Sequence, residues 1–438
     1  MQNIIGLRRE DKNKWERRVP LTPAHVEQLR HEHGLEFVVQ PSPIRALANA
    51  DYAAAGAAVQ EDLSAAGVIL AVKEIPIDLL LPNKTYLFFS HTIKGQSYNM
   101  PLLQKLLDLN CQLIDYERIV DDHNRRLIFF GRHAGLAGMI DTLYSLGQRL
   151  AAEGIDTPFS AIKLTYEYGN LPAAQKAIRE VGRQIAENGL PAQLTPLVIG
   201  VAGYGNVSRG AQEILELLPT RQITPAELLT LAEQAEFERN VIYKVVFKEA
   251  DTVEPAEGQP FDLPEFFQHP ERYRSQFEQY LPHLSVLVNC IYWDTPYPRL
   301  LTTATARQLF GGDTPAKLRV IGDISCDIEG GIEITRQSTH LDDPTFVWHP
   351  ATATTSPGVE GHGPVIMAVD NLPCELPIEA STDFGNALLP LLPALAAADF
   401  SADFEAVALP PELKRATITY HGQLTPAYQY LSKFLSPA

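Results

Sequence analysis

The run Leu197-Val198-Ile199-Gly200-Val201-Ala202-Gly203-Tyr204-Gly205-Asn206-Val207-Ser208-Arg209-Gly210 restricts what this chain can fold into more than any other feature. Its apolar start reads as a buried strand, and the pattern from Ala211 to Leu218 reads as a helix. Between them, Gly203 permits a tight turn and Gly205 lets the backbone approach a pyrophosphate, whose charge the free amides of the helix amino terminus can meet. The run therefore predicts a dinucleotide site in an α/β domain. The spacing departs from the usual pattern: Ser208 stands where a third glycine is expected, and Gly210 follows two residues later. A purely structural turn would share the glycines, but the flanking strand and helix favour the cofactor reading.

A second α/β unit continues through the apolar runs Val241 to Phe247, Val286 to Tyr292 and Leu318 to Ile324, with helical patterns at Pro225 to Glu238 and Pro270 to Leu281. The strand ending at Phe247 lies further on than the ~20 residues usual for an acidic ribose ligand, so a helical insertion is expected before it. Its end is Lys248-Glu249. Glu249 suits a ribose 2′-hydroxyl and Lys248 a 2′-phosphate, and both also suit solvated charges, which leaves NAD against NADP open. Asp323 and Asp327, at the end of the run Leu318 to Ile324 and just beyond it, are candidates to face the ribose or nicotinamide; a helix-cap or turn role is the alternative for each.

The first third alternates apolar runs (Phe37 to Val39, Val68 to Val72, Tyr86 to Phe89, Leu113-Ile114) with helical patterns such as Pro101 to Leu109, which implies a parallel sheet covered by helices. Lys73 follows one run and His91 another. Neighbouring parallel strands deliver such residues to one crevice. A lysine beside a second cation, or partly desolvated, has its pKa lowered, and histidine titrates near neutrality unaided, so the two suit acid and base. Arg18, just before the helix signal Leu21-Thr22-Pro23, suits a substrate carboxylate gripped by two parallel hydrogen bonds. On the residues alone, a surface charge at a strand end is slightly the better reading of Lys73 and of His91, and a surface ion pair is the alternative for Arg18.

Small residues from Gly131 to Leu150 mark a long helix able to pack closely on a neighbour. The stretch Ala387 to Ala398, interrupted by Pro390 and Pro393, is too short for a membrane span and reads as a buried helix; the tail from Ala380 to Ser436 is helical in pattern. The amino terminus reaches Arg8-Arg9 too early for a signal peptide, so no export is expected. A formal net charge of −17 argues against nucleic acid as a partner. Four cysteines without a CxxC pair signal neither zinc nor a disulfide framework and fit a reducing cytoplasm. No HExxH, GxSxG or Walker pattern occurs, so metal, acyl-transfer and phosphoryl-transfer chemistry have no support.

Across most of its length the chain resembles the lysine–ketoglutarate reductase domain of the bifunctional aminoadipic semialdehyde synthases of animals and plants. The likeness runs through Arg9 to Arg18, Pro82 to Tyr86, Phe89 to Lys94, Gly205 to Ser208, Ile291-Tyr292-Trp293, Pro298 to Thr302 and Val369 to Pro373. More distantly it resembles alanine dehydrogenase and the monofunctional saccharopine dehydrogenases, which place an arginine before a Thr-Pro helix, then a strand-end lysine, then a strand-end histidine. The resemblance implies two Rossmann-like doubly wound domains with parallel sheets and an active site in the interdomain cleft. Residues 1–134 with 375–438 would form the catalytic domain and 135–374 the dinucleotide-binding domain.

It further implies that Lys73 and His91 are the acid–base pair, that Arg18 binds substrate carboxylate, and that Glu74, Lys94 and Glu117 line the substrate site. Asn206, Val207 and Ile291 join Gly203, Gly205, Lys248, Glu249, Asp323 and Asp327 as the expected cofactor set. The implied reaction condenses L-lysine with 2-oxoglutarate and reduces the imine to saccharopine with NAD(P)H, NADPH being slightly favoured by family; the mixed Lys248-Glu249 departs from the basic strand end of the animal reductase. A homo-oligomer fits this reading. So does a separate glutamate-forming saccharopine dehydrogenase acting next, because the sequence stops where the animal and plant enzymes continue into that domain. Two rivals stand beside it: an alanine-dehydrogenase-like reductive aminase of a small keto acid, and a catalytically silent nucleotide-binding subunit.

Overall fold

Apolar runs too short for helices become the strands of two eight-stranded sheets in the computed structural model, which describes residues 4–233, 236–312 and 314–435. The chain forms two units, Met1–Phe130 with Pro377–Ala438, and Gly131–Leu376. Met1 to Asn3 of the amino-terminal segment, Gln234 and Ala235 of the expected helix 225–238, and Ser436 at the end of the expected helical tail lie outside the described residues.

In the first unit the strand order is Gln423–Leu424, Thr417–Tyr420, Gln112–Asp115, Thr85–Phe88, Val68–Leu70, Ile4–Leu7, Glu36–Val39, Ala58–Val59. The last six are parallel. All residues of Val68–Leu70, Thr85–Phe88 and Gln112–Asp115 are buried, which is why their centres read as apolar runs. Leu102, Leu103 and Leu106 of helix Met100–Asp108 and Phe384 and Leu388 of helix Pro377–Leu388 pack into the same core. The tail departs from its helical expectation: after Pro411–Ala416, strand Thr417–Tyr420 pairs antiparallel with Gln112–Asp115. Its four β-branched and aromatic residues carry the strand signal, in a stretch too short for periodicity to show it. The stretch Ala387 to Ala398 spans the end of helix Pro377–Leu388 and helix Leu392–Ala397; among the described residues no helix is long and apolar enough to cross a membrane.

In the second unit the order is Thr354–Pro357, Thr345–His349, Val365–Met367, Val320–Asp323, Val286–Asn289, Val198–Ala202, Ile242–Phe247, Thr220–Gln222. The six from Val365–Met367 to Thr220–Gln222 are parallel. Because the chain builds outward from Val198–Ala202 first to one side and then to the other, the strand order reverses between it and Val286–Asn289, where open α/β sheets bind ligands. The segment before Ile242–Phe247 contains edge strand Thr220–Gln222 as well as helix Pro225–Thr230. The expected helix over Pro270 to Leu281 is replaced by 3-10 turns around strand Tyr273–Ser275, which pairs antiparallel with Val253–Pro255. Tyr273 packs there with Val253 and Phe266, a tertiary partnership that overrides local helical preference.

The long helix Gly131–Ala152 crosses Asn206–Leu215 at glycines on both sides. A Cβ on Gly135 would stand 1.9 Å from the Val207 carbonyl oxygen, and one on Gly210 would stand 2.0 Å from that of Arg132. This explains the displaced glycine of the cofactor run: Gly210 serves close helix packing while Ser208 is buried beside Gln212. Gly135→Ala and Gly210→Ala are each expected to destabilise the protein by about 1–3 kcal/mol through backbone overpacking, read as a lower melting temperature. Gly205→Ala is the control, because its added Cβ would meet nothing within 4 Å.

Candidate functional site

In the first unit four adjacent parallel strands end on the same edge, and the polar residues just past them meet there. His91 follows Thr85–Phe88 and sits at φ 53°, in the left-handed region, where its carbonyl accepts from Asn99 Nδ2 at 3.0 Å. Holding a non-glycine residue there costs of order 1–3 kcal/mol, and it fixes the direction of the ring. His91 Nδ1 lies 2.5 Å from Glu74 Oε1, and Lys12 Nζ lies 3.0 Å from Glu74 Oε2. Burial alone would raise the Glu74 carboxyl; the hydrogen bond and charge of His91, with Lys12, outweigh it and bring the group down to about 2. An ionised Glu74 accepts, so His91 Nδ1 carries the hydrogen and its Nε2 is the nitrogen left for chemistry.

Lys73 is anchored through its backbone. Glu10, in the segment that follows the strand Ile4–Leu7, accepts from the Val72 amide at 2.6 Å and from the Lys73 amide at 3.0 Å. Burial, then the charge of Glu16, pushes Glu10 up to about 7 against those two amides. Sequence reasoning missed Glu10; its only local signal is an acidic residue in the segment after a strand. Arg18, only 3% exposed, donates to both oxygens of buried Glu16 at 2.8 and 2.5 Å and lies over the Phe130 ring. The expected carboxylate grip is thus already engaged within the chain. Glu117 pairs with Arg126, and its amide donates to Asp115, which also bridges to Ser90; Lys94 is exposed. The structure joins Glu74 to His91 directly, and leaves Arg18 and Glu117 in ion pairs of their own.

In the second unit, Val198–Ala202 ends in Gly203 at φ 96°, a conformation that favours glycine. Gly205 caps the helix Asn206–Leu215 without a side chain to satisfy its first amides, and a side chain at Gly205 would meet nothing within 4 Å. Bare backbone and open amides are what a pyrophosphate requires, so the turn fits the cofactor, with Asn206 and Val207 contributing the first helical amides. A cavity of about 480 Å³ opens there, lined by Gly203, Gly205, Glu249, Asn289 and Ile291 among others. Lys248, its neighbour in sequence, is exposed with its amine 6.0 Å from the Tyr204 ring and does not line the cavity.

The two aspartates of the expected cofactor set sit at the end of strand Val320–Asp323 and just beyond it. Asp323 is buried and does not line the cavity: its carboxylate accepts from Asn289 Nδ2 at 2.9 Å, Thr335 Oγ1 at 2.6 Å and the Cys326 amide at 3.3 Å. Burial pushes it up to about 6 in spite of these bonds. It acts through Asn289, whose Oδ1 accepts from the Ile291 amide at 3.2 Å and so shapes the cavity wall. Asp327 closes a turn, its carbonyl accepting from Gly330 at 2.9 Å.

Residues 6–137 match the family described as alanine dehydrogenase/PNT, N-terminal domain, and residues 265–427 match its C-terminal domain. The chain is 40% identical over 448 residues to alpha-aminoadipic semialdehyde synthase of Arabidopsis thaliana, covering 98% of this chain and 41% of that protein. It is 38% identical to the mitochondrial alpha-aminoadipic semialdehyde synthase of Mus musculus, covering 98% and 48%. The chain therefore spans about half the length of these curated relatives. With saccharopine dehydrogenase (NAD(+), L-lysine-forming) of Yarrowia lipolytica it shares 26% identity over 89% of this chain and 91% of that one. A solved L-alanine dehydrogenase shares the fold at a TM-score of 0.59 and 21% identity, covering 99% of this chain and 100% of that one.

Proposed function

We infer, from the premise that this chain belongs to the alanine dehydrogenase/PNT family, that it is a nicotinamide-dependent oxidoreductase joining L-lysine to 2-oxoglutarate as saccharopine. The observation that carries this is the His91–Glu74 pair on the strand end next to Lys73, in a chain alike over 98% of its length to the semialdehyde synthases. The lysine ε-nitrogen attacks the keto carbon, forming the C–N bond. Lys73 protonates the carbonyl oxygen. His91 Nε2 takes a proton from the attacking nitrogen and returns it to the oxygen that leaves as water. Ionised throughout, Glu74 orients the ring and carries no proton. A bound nicotinamide supplies the hydride that reduces the imine.

Glu249 favours NADH over the NADPH suggested by family. It lines the cavity while Lys248 does not, and a carboxylate accepts from a ribose 2′-hydroxyl and repels a 2′-phosphate. NADH is therefore expected to bind more tightly than NADPH, and Glu249→Ala to shrink that preference about tenfold, the worth of one hydrogen bond to a charged group. Parallel titrations with both nucleotides measure it.

Oxidation of NADH and NADPH by purified protein, with 2-oxoglutarate plus lysine, ornithine, alanine or ammonia and product identified by mass, tests the reading. Lysine-dependent formation of saccharopine supports it. Turnover with ammonia alone transfers the protein to the alanine-dehydrogenase-like class. Nucleotide binding without turnover on any amine makes it a silent subunit.

A further inference from the structure

Beyond the glycine turn, the cavity runs between the ends of Ile242–Phe247 and Val286–Asn289, and part of its wall comes from the segment inserted after Glu249. There, strands Val253–Pro255 and Tyr273–Ser275 and helix Leu263–Gln268 build a small core of their own. Phe266 is buried in it, its ring 5.2 Å from Tyr273 and 5.4 Å from Tyr297. That anchorage presents the next residue, Phe267, to the cavity with 53% of its surface exposed, although its ring is 5.7 Å from Phe266 and could have joined the core. An exposed phenyl on a rigid platform inside a concave site leaves apolar surface for something to cover.

Resting on the nucleotide reading above, the geometry points to Phe267 as the residue that stacks on the adenine ring of the bound dinucleotide. A dinucleotide whose pyrophosphate meets the amides at Gly205 and Asn206 and whose adenosine ribose meets Glu249 must carry its base past Glu249. Thr252, Val253 and Phe267, which follow Glu249 in the chain, line the same cavity. A purine offers a flat π-face of the kind phenyl rings hold, and such stacking tolerates sequence and substituent differences.

The test is calorimetric binding of NADH, ADP-ribose, AMP and nicotinamide mononucleotide to wild type, Phe267→Ala and Phe267→Tyr. Phe267→Ala is expected to weaken NADH, ADP-ribose and AMP by roughly 5- to 50-fold, to leave nicotinamide mononucleotide unchanged, and to be rescued by Phe267→Tyr. Wild-type affinity for NADH in Phe267→Ala overturns this inference alone. Equal weakening of nicotinamide mononucleotide also overturns it, because the loss is then not confined to the base. A wild-type protein that binds no dinucleotide overturns the nucleotide reading and this inference with it.

Discussion

His91→Ala and Lys73→Met each lower lysine-dependent NADH oxidation by about 10²–10⁴-fold, the usual worth of one positioned acid or base. Glu10 holds the amides of Val72 and Lys73 whatever side chain follows, whereas His91→Ala also removes the hydrogen bond to Glu74. Glu74→Gln has a smaller effect, about tenfold, because an amide still reaches Nδ1 but no longer dictates which nitrogen carries the hydrogen. Glu74 is ionised far below neutrality, so its titration shapes none of the rate profile between pH 5 and 9; its stabilising contribution is present above the ordinary carboxylate range and lost only as the pH falls through about 2. Steady-state rates for the three variants decide the matter: a His91→Ala enzyme within threefold of wild type removes His91 from the chemistry.

A second large effect is expected from a buried pair of acids in the second unit. Asp141 of helix Gly131–Ala152 accepts from the Thr165 amide at 3.0 Å and its hydroxyl at 2.8 Å, and Glu375 accepts from the Tyr166 amide at 3.1 Å. Their other oxygens, Asp141 Oδ2 and Glu375 Oε1, are buried with no hydrogen-bond donor. As two carboxylates they repel; as an acid and a carboxylate, one shared proton satisfies both atoms. Burial, and for Glu375 the charge of Asp141, raises the pair, and the neighbouring Glu167, Tyr144, Tyr166, Asp342 and Asp343 bring no positive charge to oppose it.

The sign follows directly. The folded state holds a proton that the unfolded state releases at ordinary carboxylate pH, so stability falls as the pH rises from that range toward the raised value of the pair. Glu375→Gln replaces the shared proton with an amide hydrogen. It should melt with a flatter pH dependence than wild type and several degrees higher at pH 8. Asp141→Ala strips Thr165 of its acceptor and should cost about 2–4 kcal/mol near pH 5, where wild type holds the shared proton, and less as the pH rises. Calorimetric melts from pH 5 to pH 9 measure both; equal slopes for wild type and Glu375→Gln would mean that no proton is shared.

What was legible in the sequence was local. Val68–Leu70, Thr85–Phe88 and Val198–Ala202 announced themselves because a strand buried on both faces must be apolar throughout, and Gly203 and Gly205 because a strand-to-helix turn beside open amides needs their backbone. The strand-end positions of Lys73 and His91 followed from the apolar runs before them. Thr417–Tyr420 and Tyr273–Ser275 were not legible, since each forms only by pairing with a strand distant in sequence or by joining aromatic partners that local periodicity does not report.

The bonds that give the site its chemistry were decided by the tertiary structure. Parallel register sets the end of Val68–Leu70 beside that of Thr85–Phe88, which brings Glu74 to His91 and leaves Arg18 to Glu16. Helix crossing gives Gly210 its task, and the register of Val286–Asn289 with Val320–Asp323 sets Asp323 beside Asn289. The sequence by itself determined the strands buried on both faces and the glycine turn that follows one of them, because burial and turn geometry act within a few residues. Which polar groups meet beyond those ends was settled only by the fold, because a hydrogen bond between neighbouring strands depends on registers that no single segment contains.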